Sequence, residues 1–318
     1  MTMHGTRASN GRVTWPEGKT FAFTVFDDTD LATLDNVPPV YGLLHDLGFR
    51  TTKSVWPISG EQPPEVGGAT CADPQYLAWV RSLQHAGFEI AFHGATGYSA
   101  RREETYRGLE RFRELFGEYP KTFASHSYVR DSLYWGRHRV SGLNRLGYDL
   151  FTLSRGRRRF RGHIEGDPHF WGDLCREKVK YVRGLVYPEI NTLKACPIMP
   201  YHDPDRPYVN YWFSSSEAAV VSSFNQCLTE AAQDRLEAEG GACIIYTHFA
   251  FGFCNDGALD SRFRRLMRRL SRKNGWFVPV RTLLDYLLEQ QGHREITAPQ
   301  RRAFERRWLW HKIRNGSS

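Results

Sequence analysis

The stretch at residues 21–30, FAFTVFDDTD, limits what this chain can fold into more than any other. Phe21, Ala22, Phe23, Thr24, Val25 and Phe26 are apolar or β-branched on both faces, which predicts a strand covered on both sides, as in a parallel sheet. Asp27, Asp28 and Asp30 follow at once. Carboxylates this close repel one another unless a cation or a shared proton relieves them. The cluster calls either for a metal or acid–base chemistry, or for a turn in which Asp30 or Asp35 caps the next helix.

Downstream, helices and strands alternate. Val37, Val40, Tyr41, Leu43, Leu44 and Leu47 recur at helical spacing across residues 36–47, and Gly48 follows as a stop. A strand at 50–56, a Pro/Gly-rich loop at 58–69, a helix at 74–86 and an apolar strand at 88–92 come next, the last delivering His93. Ser99 is the expected N-cap of a helix buried through Tyr106, Leu109, Phe112 and Phe116. Residues 122–127 (TFASHS) read as a strand ending at His126, with a helix at 131–146 and a strand at 148–153 behind it. Strands are expected again at 180–186 and 191–197. The run PIMPYHDPDRPYVNYWF, rich in Pro and aromatic residues, reads as an ordered loop whose rings, Tyr208, Tyr211 and Trp212 among them, stack on a sugar or pack on the fold. A long helix from Ser216, a buried strand at 242–246 leading to Thr247 and His248, and a helix, strand and helix at 261–270, 276–280 and 282–288 complete the pattern. Parallel strands place their carboxyl ends on one rim, so Asp27, Asp28, His93, His126 and His248 are expected to meet there.

Composition narrows the function classes. A net charge of +8 is concentrated in RGRRRFR at 155–161 and in the segment 301–314. These runs suit phosphates or an anionic surface, or are simply solvated faces, and no nucleic-acid module accompanies them. The opening residues lack the apolar core of a signal peptide, and no window approaches the roughly 18 apolar residues of a spanning helix, so a cytoplasmic protein is expected. The six cysteines show no CxxC spacing, against a zinc ribbon or dithiol centre. Trp308, Leu309 and Trp310 predict a docked terminal helix or a peripheral membrane contact.

Carboxylate oxygen and imidazole nitrogen together suit zinc or another divalent metal, and a spare carboxylate and histidine beside it supply a base and an acid for amide hydrolysis. FTVFDDTD, EIAFHGATGYS and the histidine in IIYTHF resemble, in order and spacing, the NodB-type polysaccharide deacetylases, especially the deacetylase-like proteins of bacterial O-antigen and capsule gene clusters. The similarity runs from Phe21 to about Leu288. It implies a distorted (β/α)7 barrel at 20–290, with a polar lead-in at 1–19, an elaboration at 155–215 and a basic tail at 291–318. It also implies metal-dependent removal of an acetyl group from an N-acetylated sugar, nucleotide-linked or lipid-linked, in surface polysaccharide assembly. By the resemblance, Asp27 is the catalytic base, Asp28 and His93 are metal ligands, and His248 is the general acid. The family's second histidine falls at Gly97, so His126 is expected to replace it. The family's arginine motif is also absent in its usual form, and Arg130, or Tyr134 with Trp135, stands in. The alternatives are a non-catalytic carbohydrate-binding member of the same fold, or a hydrolase of another C–N bond.

Overall fold

The computed structural model describes residues 13–126, 128–153 and 159–315. Ser127, most of the polar lead-in and the arginines at 155–158 lie outside the described residues.

The opening stretch forms β1 (Phe21–Asp27), buried at every position. It is followed around a closed barrel by β2 (Thr52–Val55), β3 (Glu89–Phe92), β4 (Thr122–Phe123), β5 (Tyr181–Tyr187), β6 (Tyr211–Glu217) and β7 (Ala242–Thr247). All seven strands are parallel, and β7 closes the ring onto β1 from Ala22↔Ala242 to Asp27↔Thr247. This is the (β/α)7 barrel that the sequence led us to expect. A short hairpin, β8 (Cys254–Asn255) and β9 (Ala258–Leu259), follows β7. Then β10 (Gly275–Phe277) inserts beside the first half of β1, while β2 pairs only with Phe26 and Asp27 on that same flank.

The helices are α1 (Pro38–Asp46), α2 (Pro74–His85), α3 (Arg102–Phe116), α4 (Gly142–Phe151), α5 (Gly172–Lys178), α6 (Thr192–Ala195), α7 (Val221–Cys227), α8 (Glu230–Glu239), α9 (Ser261–Leu270), α10 (Val280–Gln291) and α11 (Ala298–Asn315). Local chemistry fixes their ends. Asp73 accepts from the backbone N–H groups of Gln75 and Tyr76 to start α2, and Gly117, at φ 87°, stops α3 in the left-handed conformation. Apolar residues of α2, α3, α9 and α10 are buried, whereas Leu143, Leu146 and Leu150 of α4 are exposed. In α9, Phe263, Leu266, Met267 and Leu270 are buried, each such side chain stabilising the fold by about 1.5–3 kcal/mol.

Several expected elements differ. Residues 148–153 belong largely to α4, and 191–197 hold only the single turn α6, which Asn191 caps by accepting from the Lys194 N–H. The helix expected from Ser216 is instead the end of β6 followed by α7 and α8, so the aromatic loop gives way to a barrel strand at Tyr211. Ser99 does not cap α3; that position is Arg101, whose N–H is met by Glu104 at 3.0 Å. Along the basic terminal segment, α11 packs inward through Trp308, Leu309 and Lys312, and its Glu305 accepts from Ser141 N and Oγ at 2.9 and 2.8 Å.

Candidate active site

Strand ends deliver the site residues. Asp28 N–H donates to Thr247 O at 2.8 Å, extending the β1–β7 ladder one residue beyond the strand and fixing the carboxylate at the rim. His93 follows β3, with its N–H on Val55 O at 3.1 Å, and Gly94 (φ 97°) lets the chain turn away immediately. His126 leaves β4 three residues after Phe123, and His248 follows β7.

These groups converge on Asp30. Its Oδ1 lies 2.7 Å from His126 Nδ1, and its Oδ2 lies 3.1 Å from His93 Nε2 and 3.3 Å from His248 Nε2. Burial alone would raise the Asp30 pKa, but hydrogen bonds from the three imidazoles hold it far below the carboxylate range. His248 donates from Nδ1 to Ala219 O at 2.9 Å, which leaves Nε2 facing the carboxylates. Burial lowers the pKa of His248, yet Asp30 and Asp28 outweigh it and raise the value.

Asp28 and Asp27 have other partners. Both Asp28 oxygens receive the guanidinium of Arg183, from β5, at 2.8 and 2.6 Å. Its nearest imidazole nitrogen, His93 Nδ1, stands 3.8 Å off. Asp27 is fully buried. Its Oδ2 pairs with Lys53 Nζ at 3.0 Å and accepts from Tyr41 OH at 3.0 Å, while Oδ1 accepts from Phe249 N–H at 2.8 Å. Burial raises the Asp27 pKa, and Lys53 opposes the rise. Asp27 therefore braces β1 against β2 and does not reach the cavity.

Two overlapping sets of donor atoms could hold a cation: Asp30 with His93 and His126, and Asp28 with Asp30 and His248. Within each set the atoms lie within 4.8 Å of one another. Among the described residues, Nε2 of His126 and Nδ1 of His93 are buried without a hydrogen-bond partner. Buried imidazole nitrogens without partners, facing a carboxylate, fit a divalent metal of the zinc type. A side chain at the glycine where the resemblance expects a histidine would crowd its neighbours. A Cβ on Gly97 would lie 3.1 Å from Pro64 Cβ and Val66 O and 3.2 Å from Trp56.

A cavity of about 130 Å³ opens beside the cluster, walled by Asp28, Asp30 and His248 on one side and by Trp135, Arg139, Arg183 and Tyr246 on the other. Trp135 is thus brought to the site, whereas Tyr134 and Trp212 line a small neighbouring void. Arg130 is exposed, and Asp27 has Lys53 as its cation instead. Tyr208 bonds to Glu165, away from the cavity. Tyr211 begins β6, at the far end of the barrel, with its hydroxyl 3.1 Å from His293 Nδ1 in a cleft of about 640 Å³. That cleft is larger, but both candidate metal sets lie at the opposite rim. Reading the sequence did not single out Lys53, Arg183 or Arg139, and it named Asp30 only within the acidic cluster. The signal was present for two of them, because a Lys or Arg inside a strand with no exposed face must find a buried carboxylate.

No family model matches the chain, and neither does any curated protein. Solved structures do. The structure named a polysaccharide deacetylase from Mycobacterium smegmatis is 14% identical, with 91% of this chain and 98% of that one covered at a TM-score of 0.50. PuuE allantoinase is 14% identical, over 89% and 95% of the two chains, at 0.50. The structure named a polysaccharide deacetylase from Pseudomonas aeruginosa PAO1 is 12% identical, over 89% and 96%, at 0.51. At such identities the likeness is one of fold, and the chain shares its barrel with proteins named as polysaccharide deacetylases and with an allantoinase.

Proposed function

We propose that this chain is a metal-dependent hydrolase that removes the acetyl group from an N-acetylated sugar. The observation that carries the reading is the buried Asp30, His93 and His126 cluster, in which His93 Nδ1 and His126 Nε2 have no hydrogen-bond partner among the described residues, next to the Asp28 and His248 pair at a cavity wall. Asp30, His93 and His126 would hold the metal, zinc being the best match to this donor set. Bound there, a divalent ion supplies positive charge that polarises the amide carbonyl and acidifies water.

In this proposal the base is Asp28, where the resemblance gives Asp27, and the ligand is Asp30, where it gives Asp28; the Lys53 pairing of Asp27 and the Arg183 pairing of Asp28 support the change. Asp28 is the carboxylate that faces the cavity while both its oxygens are oriented by Arg183. It takes a proton from the attacking water. His248, fixed through Nδ1 by Ala219 O, gives a proton from Nε2 to the amine nitrogen as the C–N bond breaks, so acetate and a free amino sugar leave. Trp135 and Tyr246 line the cavity in which the sugar would sit. The setting, surface polysaccharide assembly in the cytoplasm on a nucleotide-linked or lipid-linked sugar, is supported by the sequence resemblance.

Metal analysis of purified protein, paired with acetate release from a panel of N-acetylated sugars, tests the reading. Asp30→Ala and His93→Ala should each lose bound metal and acetate release together. Sugar binding with no acetate from any member would favour a non-catalytic carbohydrate-binding protein. Ammonia or formate without acetate would favour a hydrolase of another C–N bond.

A further inference from the structure

Two arginines face the cavity, and among the described residues only one of them has a counter-ion. Arg183 spends both terminal nitrogens on Asp28. Arg139 ends the short turn Gly136–Arg139, is 7% exposed, and lies with its guanidinium carbon 3.1 Å from the Trp135 ring centre and 5.4 Å from that of Trp308. Among the described residues its guanidinium donates no hydrogen bond and meets no carboxylate within 4 Å, and Nε is buried without a partner. Glu217, whose field reaches it, is already held by His311 at 2.7 Å and by Lys312. Burial pushes the Arg139 pKa down to about 9, so the group stays charged at neutral pH. Indole faces attract a cation but leave its N–H edge unsatisfied, and Arg183 nearby adds repulsion. A buried, charged fork at a cavity wall matches a carboxylate or a phosphate.

We propose that Arg139 binds an anionic group of the substrate, so that the sugar carries a carboxylate or phosphate in addition to its acetamido group. The proposal rests on the deacetylase reading of the same site. Because Arg139, Asp28 and His248 line one cavity of about 130 Å³, the anion belongs to the same sugar unit as the acetamide or to its immediate substituent.

The experiment uses the zinc-loaded 318-residue chain with N-acetylglucosamine, its 1-phosphate and N-acetylglucosaminuronic acid. It compares kcat/KM for acetate release, and measures binding of the same three sugars to chelator-treated protein by calorimetry. At least one anionic sugar should exceed the neutral one by about ten-fold or more in both readouts. The phosphate and uronate arms tell the two sources apart. Arg139→Gln should collapse the preference, and Arg139→Lys should keep part of it. Equal turnover and equal binding of all three sugars by the wild-type chain would overturn the proposal without reference to any variant. Acetate released equally from all three would leave the deacetylase reading standing and remove the anion site. Arg139-dependent binding of an anionic sugar with no acetate from any would do the reverse, and neither binding nor turnover of any sugar would remove both.

Discussion

At the scale of single residues, the two adjacent aspartates do different work, and their variants should separate cleanly. Asp28→Asn should keep its metal and lose about 10²–10⁴-fold in kcat, as expected for a positioned base, measured by metal analysis alongside acetate release. Asp27→Asn removes the counter-charge of a lysine that is wholly buried, and should cost about 3–5 kcal/mol of unfolding stability in urea. If Asp27→Asn were stable and inactive while Asp28→Asn kept its activity, the two roles would have to be exchanged. The sequence made the strand-end histidines legible because each follows an apolar run. It could not say which of Asp27, Asp28 and Asp30 faces inward, since that depends on how far the β1–β7 ladder continues, and it runs through the N–H of Asp28.

Elements were readable where hydrophobic period and stop signal agreed, as in α1, which ends just before Gly48. The reading went astray where a barrel strand is polar. In β6, Ser214, Ser215 and Ser216 are all buried, with Ser216 Oγ held by Glu189 O at 2.6 Å, so hydroxyls occupy places where apolar residues would have announced a strand. YDLFTL has strand-forming composition, but Leu143, Leu146 and Leu150 precede and overlap it at helical spacing, and the segment coils as α4. The basic terminal segment was expected to dock as a helix or to touch a membrane surface, and α11 packs on the barrel, supplying Trp308 to Arg139 and Lys312 to Glu217. Trp308→Ala should therefore lower the urea midpoint by the equivalent of about 3–5 kcal/mol, the cost of emptying a large aromatic site. A change within a few tenths of a kcal/mol would mean that α11 contributes little to the fold.

At the scale of the whole molecule, acid should unfold the protein by way of buried titratable groups. Burial pushes His138 down to about 4 and His163 down to about 3, from 6.5. Both are neutral in the fold but protonated in the unfolded chain below 6.5, so their contribution is complete above 6.5 and is lost as pH falls toward 3. Burial alone would raise Glu217 from 4.5, but His311 and Lys312 bring it to about 2, and its contribution is lost between those two values. Asp131, raised by burial to about 7, acts oppositely and is lost as pH climbs from 3.8. The depressed His138, His163, Glu217 and Asp30, set against Asp131, Asp27 and Glu89, which burial raises, should give a thermal midpoint that drops from pH 6.5 to 3; a flat profile in differential scanning calorimetry would contradict this balance.

The division of one flank of β1 between β10 and β2 gives the barrel an uneven girdle. Toward its base β1 is stitched to β10 over Phe21, Ala22 and Phe23, whereas at its lip only Phe26 and Asp27 grip β2, with the Lys53 charge as the clasp. Amide exchange should report that asymmetry: in Lys53→Met the protons of β2 should be released well before those of β10, and the mouth beside the candidate site would slacken while the floor stayed shut.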